Sequence, residues 1–507
     1  MMESKKSGIL LHISSLPSKF GIGDLGAGAY KFVDFLADSK QSFWQILPIH
    51  PTDLLSGNSP YSCPSTFACN TLLISPELLL EDGFIGQEDL QDIPDFSLDR
   101  VDFIKAAFFK HQLFDKVFQR FKKNKKEQKA FVQFQKNQAA WLDDYSVFLA
   151  IKDHCGGIVW TDWPDELKER IPEGLEQFCQ EHQDAVTKIQ FLQYLFFSQW
   201  AKLRAYCAKR KVQIIGDIPI YVNFDSADVW THRDIFKLNK KLKPSVVAGV
   251  PPDYFSKTGQ RWGNPVYNWD QLKATGFSWW IARLEHILNL CDVVRVDHFR
   301  AFINYWEIPA KEKTAVNGYW VDVPTEHFFA SLSEHFKDLP LIAEDLGDID
   351  SDVRARIEHL GYPGMKILLF AFGKDLEHQM YLPHNYNANC VVYPGTHDNN
   401  TVEGWFRDEA GQKEKENFSQ YVLQRSNAED CALTKDKVHW QMIALAMSSP
   451  ARLAIAQLQD VLGLGSASRM NKPGTGAGNW TWRASEEEMN SKIIEQLKEM
   501  TEICRRG

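Results

Sequence analysis

Val293-Val294-Arg295-Val296-Asp297-His298 is a valine-rich run that stops in a carboxylate. Two later stretches repeat the pattern: Leu341-Ile342-Ala343-Glu344-Asp345, and Val391-Val392-Tyr393-Pro394-Gly395-Thr396-His397-Asp398. A short apolar run ending in Asp or Glu reads as a buried strand that delivers acid groups to its C-terminal end, where α/β barrels carry their active sites. Three such strands in one barrel bring their carboxylates to one pocket, which points to acid/base or nucleophilic carboxylate chemistry.

Apolar runs of the same kind recur on both sides, between helical stretches. Gly8 to Leu16, Phe43 to Ile49, Gln213 to Ile220, Val293 to Phe299, Leu341 to Gly347, Met365 to Phe372, Cys390 to Asp398 and Arg452 to Val461 all read as strands. Eight buried strands separated by helices is the pattern of an α/β fold of the (β/α)8 TIM barrel type. A doubly wound open sheet is the other architecture that such alternation allows, but no G-x-G-x-x-G follows the first strand. The interval between the second and third strands is too long for one crossover helix, so a large, mostly helical insertion is predicted there, with further loop subdomains elsewhere. Inside it Phe114, Val117, Phe118 and Phe121 follow i, i+3, i+4, i+7 spacing, and Val186 to Tyr206 is a long aromatic-rich amphipathic stretch. The expected organisation is one catalytic barrel over the whole chain, with the helical subdomain over approximately 75–205 and an active-site loop region over approximately 245–275. Lys122 to Lys129 reads as a solvated turn between helices rather than a binding patch. Ser485-Glu486-Glu487-Glu488 has the form of a capping box opening a terminal helix.

Composition narrows the partners. The 507 residues are 44% hydrophobic and 24% charged, as in an ordinary globular protein, and length alone suggests about three domains unless one barrel with insertions takes up the chain. A net charge of -9 leaves no basic surface for phosphate backbones or anionic lipid, so neither nucleic acid nor membrane is an expected partner. The start leads into only about nine largely apolar residues broken by His12, too short and polar for a signal peptide, and no run approaches the roughly 20 apolar residues of a membrane span. The nine cysteines are odd in number, scattered and without a C-x-x-C pair, which reads as reduced cytosolic thiols. A cytoplasmic protein is expected; a plastid protein whose transit peptide had been removed would look the same.

The carboxylate ends carry the chemistry. Alternation along a strand puts Arg295 and Asp297 on one face, where the guanidinium can hold the carboxylate ionised for attack on an anomeric carbon. Glu344 ends the next such strand, and a carboxyl among others in a semi-dry pocket has its pKa raised, which suits a general acid/base. Asp398, preceded by His397, comes in from across the barrel. Retaining glycoside chemistry needs a nucleophilic carboxylate and an acid/base carboxyl about 5–5.5 Å apart, which neighbouring strands supply. A single Asp at a strand end is more often the cap of the following helix, and Asp345 fits that role; the case for catalysis rests on Arg-x-Asp-His, Glu-Asp and Thr-His-Asp-Asn occurring together. A metal hydrolase is a rival, since His298, His397 and the carboxylates could ligate a divalent ion, although no H-x-H or H-E-x-x-H spacing supports it.

A second group of residues argues for sugar. Val250 to Tyr267 (VPPDYFSKTGQRWGNPVY) is a long loop rich in Pro, Gly and aromatics. Exposed rings offer flat faces to pyranose C–H groups while Asp, Asn and Arg satisfy hydroxyls. Trp269 and Phe255 read as core, whereas Trp262, between Arg261 and Gly263-Asn264, reads as a binding residue.

With these stretches in view, the chain resembles the α-amylase clan of retaining α-glucan enzymes, and within it the 4-α-glucanotransferases of the amylomaltase or disproportionating-enzyme type. The resemblance runs from Gly8 to Arg483 and includes Gly57-Asn58-Ser59-Pro60-Tyr61-Ser62, Gly216-Asp217-Ile218-Pro219-Ile220-Tyr221-Val222, the Pro251 to Tyr267 loop, Leu458-Gln459-Asp460-Val461-Leu462-Gly463-Leu464-Gly465, Arg469-Met470-Asn471 and Gly478-Asn479-Trp480-Thr481-Trp482-Arg483. It implies Asp297 as the nucleophile that forms a β-glycosyl-enzyme, Glu344 as the acid/base, and Asp398 as the third carboxylate, which binds hydroxyls of the reacting glucose and favours its distorted state. It places Arg295, His298, His397 and Asp217 around that glucose, Tyr61 and Ser59 in a second glucan contact region, and Trp262 on a loop over the cleft. Phe370 lines the acceptor side or packs in the barrel core. The implied substrates are maltooligosaccharides and other 1,4-α-glucans as donors, with these or glucose as acceptors, without cofactor or metal, in a monomer or weak oligomer. An α-glucan hydrolase shares the same carboxylates and differs only in letting water intercept the intermediate; a loop holding Trp262 and Tyr254 over the cleft favours a sugar acceptor. A catalytically dead glucan-binding scaffold is expected to lack one of the three carboxylates, and all three are present.

Overall fold

The computed structural model describes residues 4–252, 256–347, 349–373, 379–425 and 437–507. The eight expected runs all form strands, each shorter than the run that encodes it: β1 (Lys6–Leu10), β2 (Phe43–Gln45), β3 (Gln213–Pro219), β6 (Val293–Asp297), β9 (Leu341–Ala343), β10 (Gly364–Ile367), β11 (Cys390–Tyr393) and β12 (Leu453–Gln457). They close into a barrel in chain order, β12 pairing back onto β1, with every neighbouring pair parallel. Parallel strands covered by helices are buried on both faces, which is why each reads as a continuous apolar run rather than an alternating one.

The interval between β2 and β3 is helical, with Phe103–Phe121, Lys125–His154, Pro172–Glu181 and Gln183–Lys209 as its main helices. Its core is aromatic: Phe121 stacks on Phe191 at 3.9 Å, and Phe131 meets both rings edge-on. Helix Gln183–Lys209 also serves the barrel, since Trp200 Nε1 donates to the Leu290 carbonyl at 3.1 Å at the end of helix Ser278–Leu290. Lys110 pins the insertion to the loop after β2. Its fully buried ammonium donates to the carbonyls of Leu72 (2.7 Å) and Ile74 (2.9 Å) and lies 3.5 Å from Asp24. Removing one member of a buried charged group leaves the others unpaired, so Lys110→Met is expected to cost about 3–5 kcal/mol of stability. A urea unfolding midpoint equal to wild type would show that the pin contributes nothing.

A second sheet flanks the barrel mouth. Its strands β4 (Val246–Val250), β5 (Gln260–Pro265), β7 (Asn304–Pro309) and β8 (Tyr319–Asp322) pair antiparallel in the order β5-β4-β7-β8. The Val250 to Tyr267 stretch is therefore half hairpin rather than loop: Trp262 stands on β5, which pairs with β4, and Gly259 (φ +64°) turns the chain between them. Asp253, Tyr254 and Phe255 lie outside the described residues.

Two local expectations are corrected. The Ser485 amide does donate to Glu488 (2.8 Å), but no helix starts there; the terminal helix is Ser491–Ile503, capped by Asn490, whose side chain accepts from the Lys492 and Ile493 amides. Asp345 caps no helix. It accepts the Met365 amide at 2.7 Å on the neighbouring strand, while Asp350 caps helix Ser351–Leu360. Trp269 is buried, as its reading as core requires. Among the described residues no helix is long and apolar enough to cross a membrane.

Candidate active site

The barrel register brings the acid groups together. Asp217 on β3 lies beside Arg295 on β6, and Val296 lies beside Ala343 on β9, so Asp297 and Glu344 follow one another out of adjacent strands at the C-terminal face. Asp398 arrives on the loop after β11. The three predicted carboxylates thus rim one end of the barrel.

Arg295 organises one side of the rim. Its buried guanidinium holds both oxygens of Asp217 from Nη1 at 2.8 Å and Asp297 Oδ1 from Nη2 at 2.9 Å. Burial works against that charge, yet the two carboxylates keep the Arg295 pKa above its ordinary value. Burial pushes the Asp217 carboxyl up, against the pull of the same guanidinium. Tyr61 donates its hydroxyl proton to Asp217 Oδ2 at 2.7 Å, and burial followed by Asp217 pushes that hydroxyl well above its ordinary range. His397 Nε2 is 2.8 Å from the same Tyr61 oxygen. Tyr61 has only one proton and spends it on Asp217, so His397 must carry its proton on Nε2 and act as the donor. That nitrogen also lies 3.5 Å from Asp398 Oδ2.

Glu344 sits in the opposite electrostatic setting. Oε2 accepts the His298 amide at 2.7 Å and Oε1 the Leu346 amide at 2.8 Å. These donors and Arg295 favour the ionised form, but burial first and the charge of Asp297 second outweigh them and push the Glu344 pKa to about 8. The carboxyl is therefore protonated at neutral pH and within reach of losing its proton, the condition for general acid/base work. His298, in the left-handed region at φ 52°, turns its amide to Glu344; a non-glycine residue held there is strain of the sort found at functional sites. Burial lowers its imidazole to about 4, so the ring is neutral. It meets Trp262 edge-on at 4.8 Å.

The binding residues divide. Tyr61, Asp217, Arg295, His298 and His397 are joined to the carboxylates by the contacts above. Trp262, 39% exposed, stands over His298, with Tyr221 6.3 Å away. Phe370 is 42% exposed and packs edge-on to Tyr381, so it is not a core residue. Ser59 accepts the Tyr61 amide at 3.3 Å and so shapes the turn that carries Tyr61.

Residues without a predicted role complete the site. Asn471 donates to Asp398 Oδ1 at 2.6 Å, Arg469 Nη2 to the Asp398 carbonyl at 2.7 Å, and Trp480 lies 6.0 Å from both the Tyr61 and the His397 ring. Their stretches stand out in the sequence only through the resemblance, since nothing local marks positions so far along the chain as neighbours of Asp398. Among the described residues no group of three or more His, Cys, Asp or Glu side chains is arranged to hold a metal ion.

The chain is similar to known proteins along nearly its whole length. The family model for 4-alpha-glucanotransferase matches residues 11–489. The chain is 47% identical to the 4-alpha-glucanotransferase of Synechocystis sp. over 508 residues, covering 99% of this chain and 98% of that one. It is 44% identical to the 4-alpha-glucanotransferase of Aquifex aeolicus over 96% of each. The solved structure of an amylomaltase from Streptococcus agalactiae in complex with acarbose superposes with a TM-score of 0.94 at 37% identity, covering 99% of this chain and 100% of that one.

Proposed function

Because this chain belongs to the 4-alpha-glucanotransferase family and is an enzyme of that kind, we propose that it works by a retaining double displacement in which Asp297 is the nucleophile and Glu344 the acid/base. In the first step Asp297 attacks C1 of the donor glucose, the bond from C1 to the leaving 4-oxygen breaks, and the Glu344 proton passes to that oxygen. The released chain carries a free 4-hydroxyl, and the donor segment remains as a β-glycosyl ester on Asp297. In the second step the acceptor 4-hydroxyl gives its proton to Glu344 and attacks C1, the ester breaks, and a new α-1,4 bond forms.

The observation that carries this reading is the setting of Glu344. Part of what raises its pKa is the negative charge of Asp297. Esterification removes that charge, so the Glu344 pKa falls at the stage where it must act as a base and rises again when Asp297 is freed. One proton is cycled without an outside donor. Asp217, His397 and Asp398, with Arg295, form the grip on the reacting glucose, and bonds to its hydroxyls that strengthen as the ring flattens favour the transition state.

The three carboxylates serve hydrolysis equally well, so the acceptor is set by what surrounds them. Trp262, half exposed over His298, supplies an aromatic face for acceptor glucan where water would otherwise approach. The substrates of this reading are 1,4-α-glucans, with a second glucan chain or glucose as acceptor. The organisation proposed with it is one catalytic barrel in a monomer or weak oligomer. Maltotriose as sole substrate is expected to give glucose together with longer maltodextrins at a constant total of reducing ends. Rising reducing ends would make the protein a hydrolase instead.

A further inference from the structure

The Asp398 side chain is 43% exposed, so packing does not fix its direction. Its hydrogen bonds must do so, and they converge on one guanidinium. Arg469 Nη2 donates to the Asp398 carbonyl at 2.7 Å, Nε to the Asn471 carbonyl at 2.7 Å, and Nη1 to Glu409 Oε1 at 3.0 Å. Asn471, held in this way, donates Nδ2 to Asp398 Oδ1 at 2.6 Å and its amide to the His397 carbonyl at 3.0 Å. Glu409 is fixed in turn, because its Oε1 also accepts Asn400 Nδ2 at 3.0 Å, and buried Asn400 reaches Ser466 Oγ at 3.0 Å. Glu409 closes a π-helical turn, Trp405–Glu409, a distortion found frequently at functional sites. The hydrogen-bonded chain from Asp398 through Arg469 and Glu409 ends on Asn400, two residues beyond Asp398, so the backbone closes the circuit.

We propose that Arg469 is a positioning residue for the transfer reaction: its three-way guanidinium clasp sets the direction of the Asp398 carboxylate through Asn471 and through the Asp398 backbone. Only a planar fork of N–H groups meets three acceptors at fixed angles; an ammonium in its place is a point charge on a flexible stem. Without the clasp the carboxylate keeps His397 at 3.5 Å and an Asn471 that is tied down only by its own amide bond to the His397 carbonyl. The inference rests on Asp398 gripping the reacting glucose. Its energetic consequence belongs to the transition state, where that grip is strongest, and so falls on kcat rather than KM.

The test is steady-state kinetics of the full chain on maltotriose, with thermal unfolding alongside. Arg469→Met is expected to lower kcat by about 10²-fold, the loss that a misplacement of about 1 Å produces, with KM within about threefold of wild type. Arg469→Lys should recover only a small part of the loss. Glu409→Gln, a milder change at a half-exposed side chain, should lower kcat several-fold, and the double variant Arg469→Met with Glu409→Gln should be no slower than Arg469→Met alone, because both act on one clasp. In an Asp398→Asn background Arg469→Met should add nothing. A kcat within about threefold of wild type in Arg469→Met, an effect confined to KM, or losses that multiply in the Asp398→Asn background would each overturn the proposal. Should Arg469→Met not fold, an unchanged kcat in Glu409→Gln does the same. Near-normal activity of Asp398→Asn itself would instead overturn the role given to Asp398, which separates the two failures.

Discussion

Asp297→Asn is expected to lower transferase turnover by about 10⁴-fold or more while leaving the unfolding midpoint close to wild type. The chemical half of this result follows from the covalent intermediate: an amide cannot form the glycosyl ester on which both displacements depend. The structural half follows from Arg295. Its guanidinium keeps both oxygens of buried Asp217 when Asp297 loses its charge, so no buried cation is left unpaired. Asparagine retains an oxygen for the 2.9 Å bond from Nη2. A 5-fluoro-α-glucosyl fluoride, whose leaving fluoride needs no acid and whose ring fluorine slows the second step, should label the wild-type peptide that contains Asp297 with one glycosyl group. Turnover within about tenfold of wild type, or a label on another residue, would remove Asp297 from its role.

The barrel was legible because its signal is local. A strand buried on both faces is mostly apolar, so each of the eight runs announces itself without knowledge of its partners; Asp297 closes β6, and Glu344 is the residue that follows β9. The flanking sheet has no such signal. Strand β5 is Gln-Arg-Trp-Gly-Asn-Pro, a polar sequence with three poor strand formers, and it is extended because β4 pairs with it. Such a sequence reads as a loop, in which Trp262 stands out as a ring between polar neighbours. Ser485 and Glu488 illustrate local signals in competition: their bond forms, yet Asn490 provides the better start and the helix begins after it.

What the sequence withholds is any contact between distant positions. Asn471 and Asp398 are 73 residues apart, and Tyr61 and His397 are 336 apart. No periodicity relates such pairs; the barrel does, by returning each loop to the same end. Nothing local marks Asp217 or Tyr61 as members of the site; the structure joins both in a hydrogen-bonded line from His397 to Arg295.

In the proposed mechanism Glu344 is the group whose titration limits the first step. Since the acid form delivers the proton to the leaving oxygen, kcat/KM for maltotriose should fall tenfold per pH unit above about 8. Glu344→Gln should lower turnover by about 10³-fold or more and remove that alkaline limb. The substitution is not innocent, because both Glu344 oxygens accept backbone amides, from His298 and Leu346, and glutamine must turn its own NH2 toward one of them. Glu344→Ala carries no such conflict. Equal losses in the two variants would assign the effect to the missing proton, whereas a much more active alanine variant would assign it to the clash. An α-maltosyl fluoride, whose departure needs no acid, should restore the first step in both, and azide should then intercept the intermediate in Glu344→Ala without a base to activate it. Failure of fluoride to rescue either variant, or an alkaline limb that persists without Glu344, would place the moving proton on another residue.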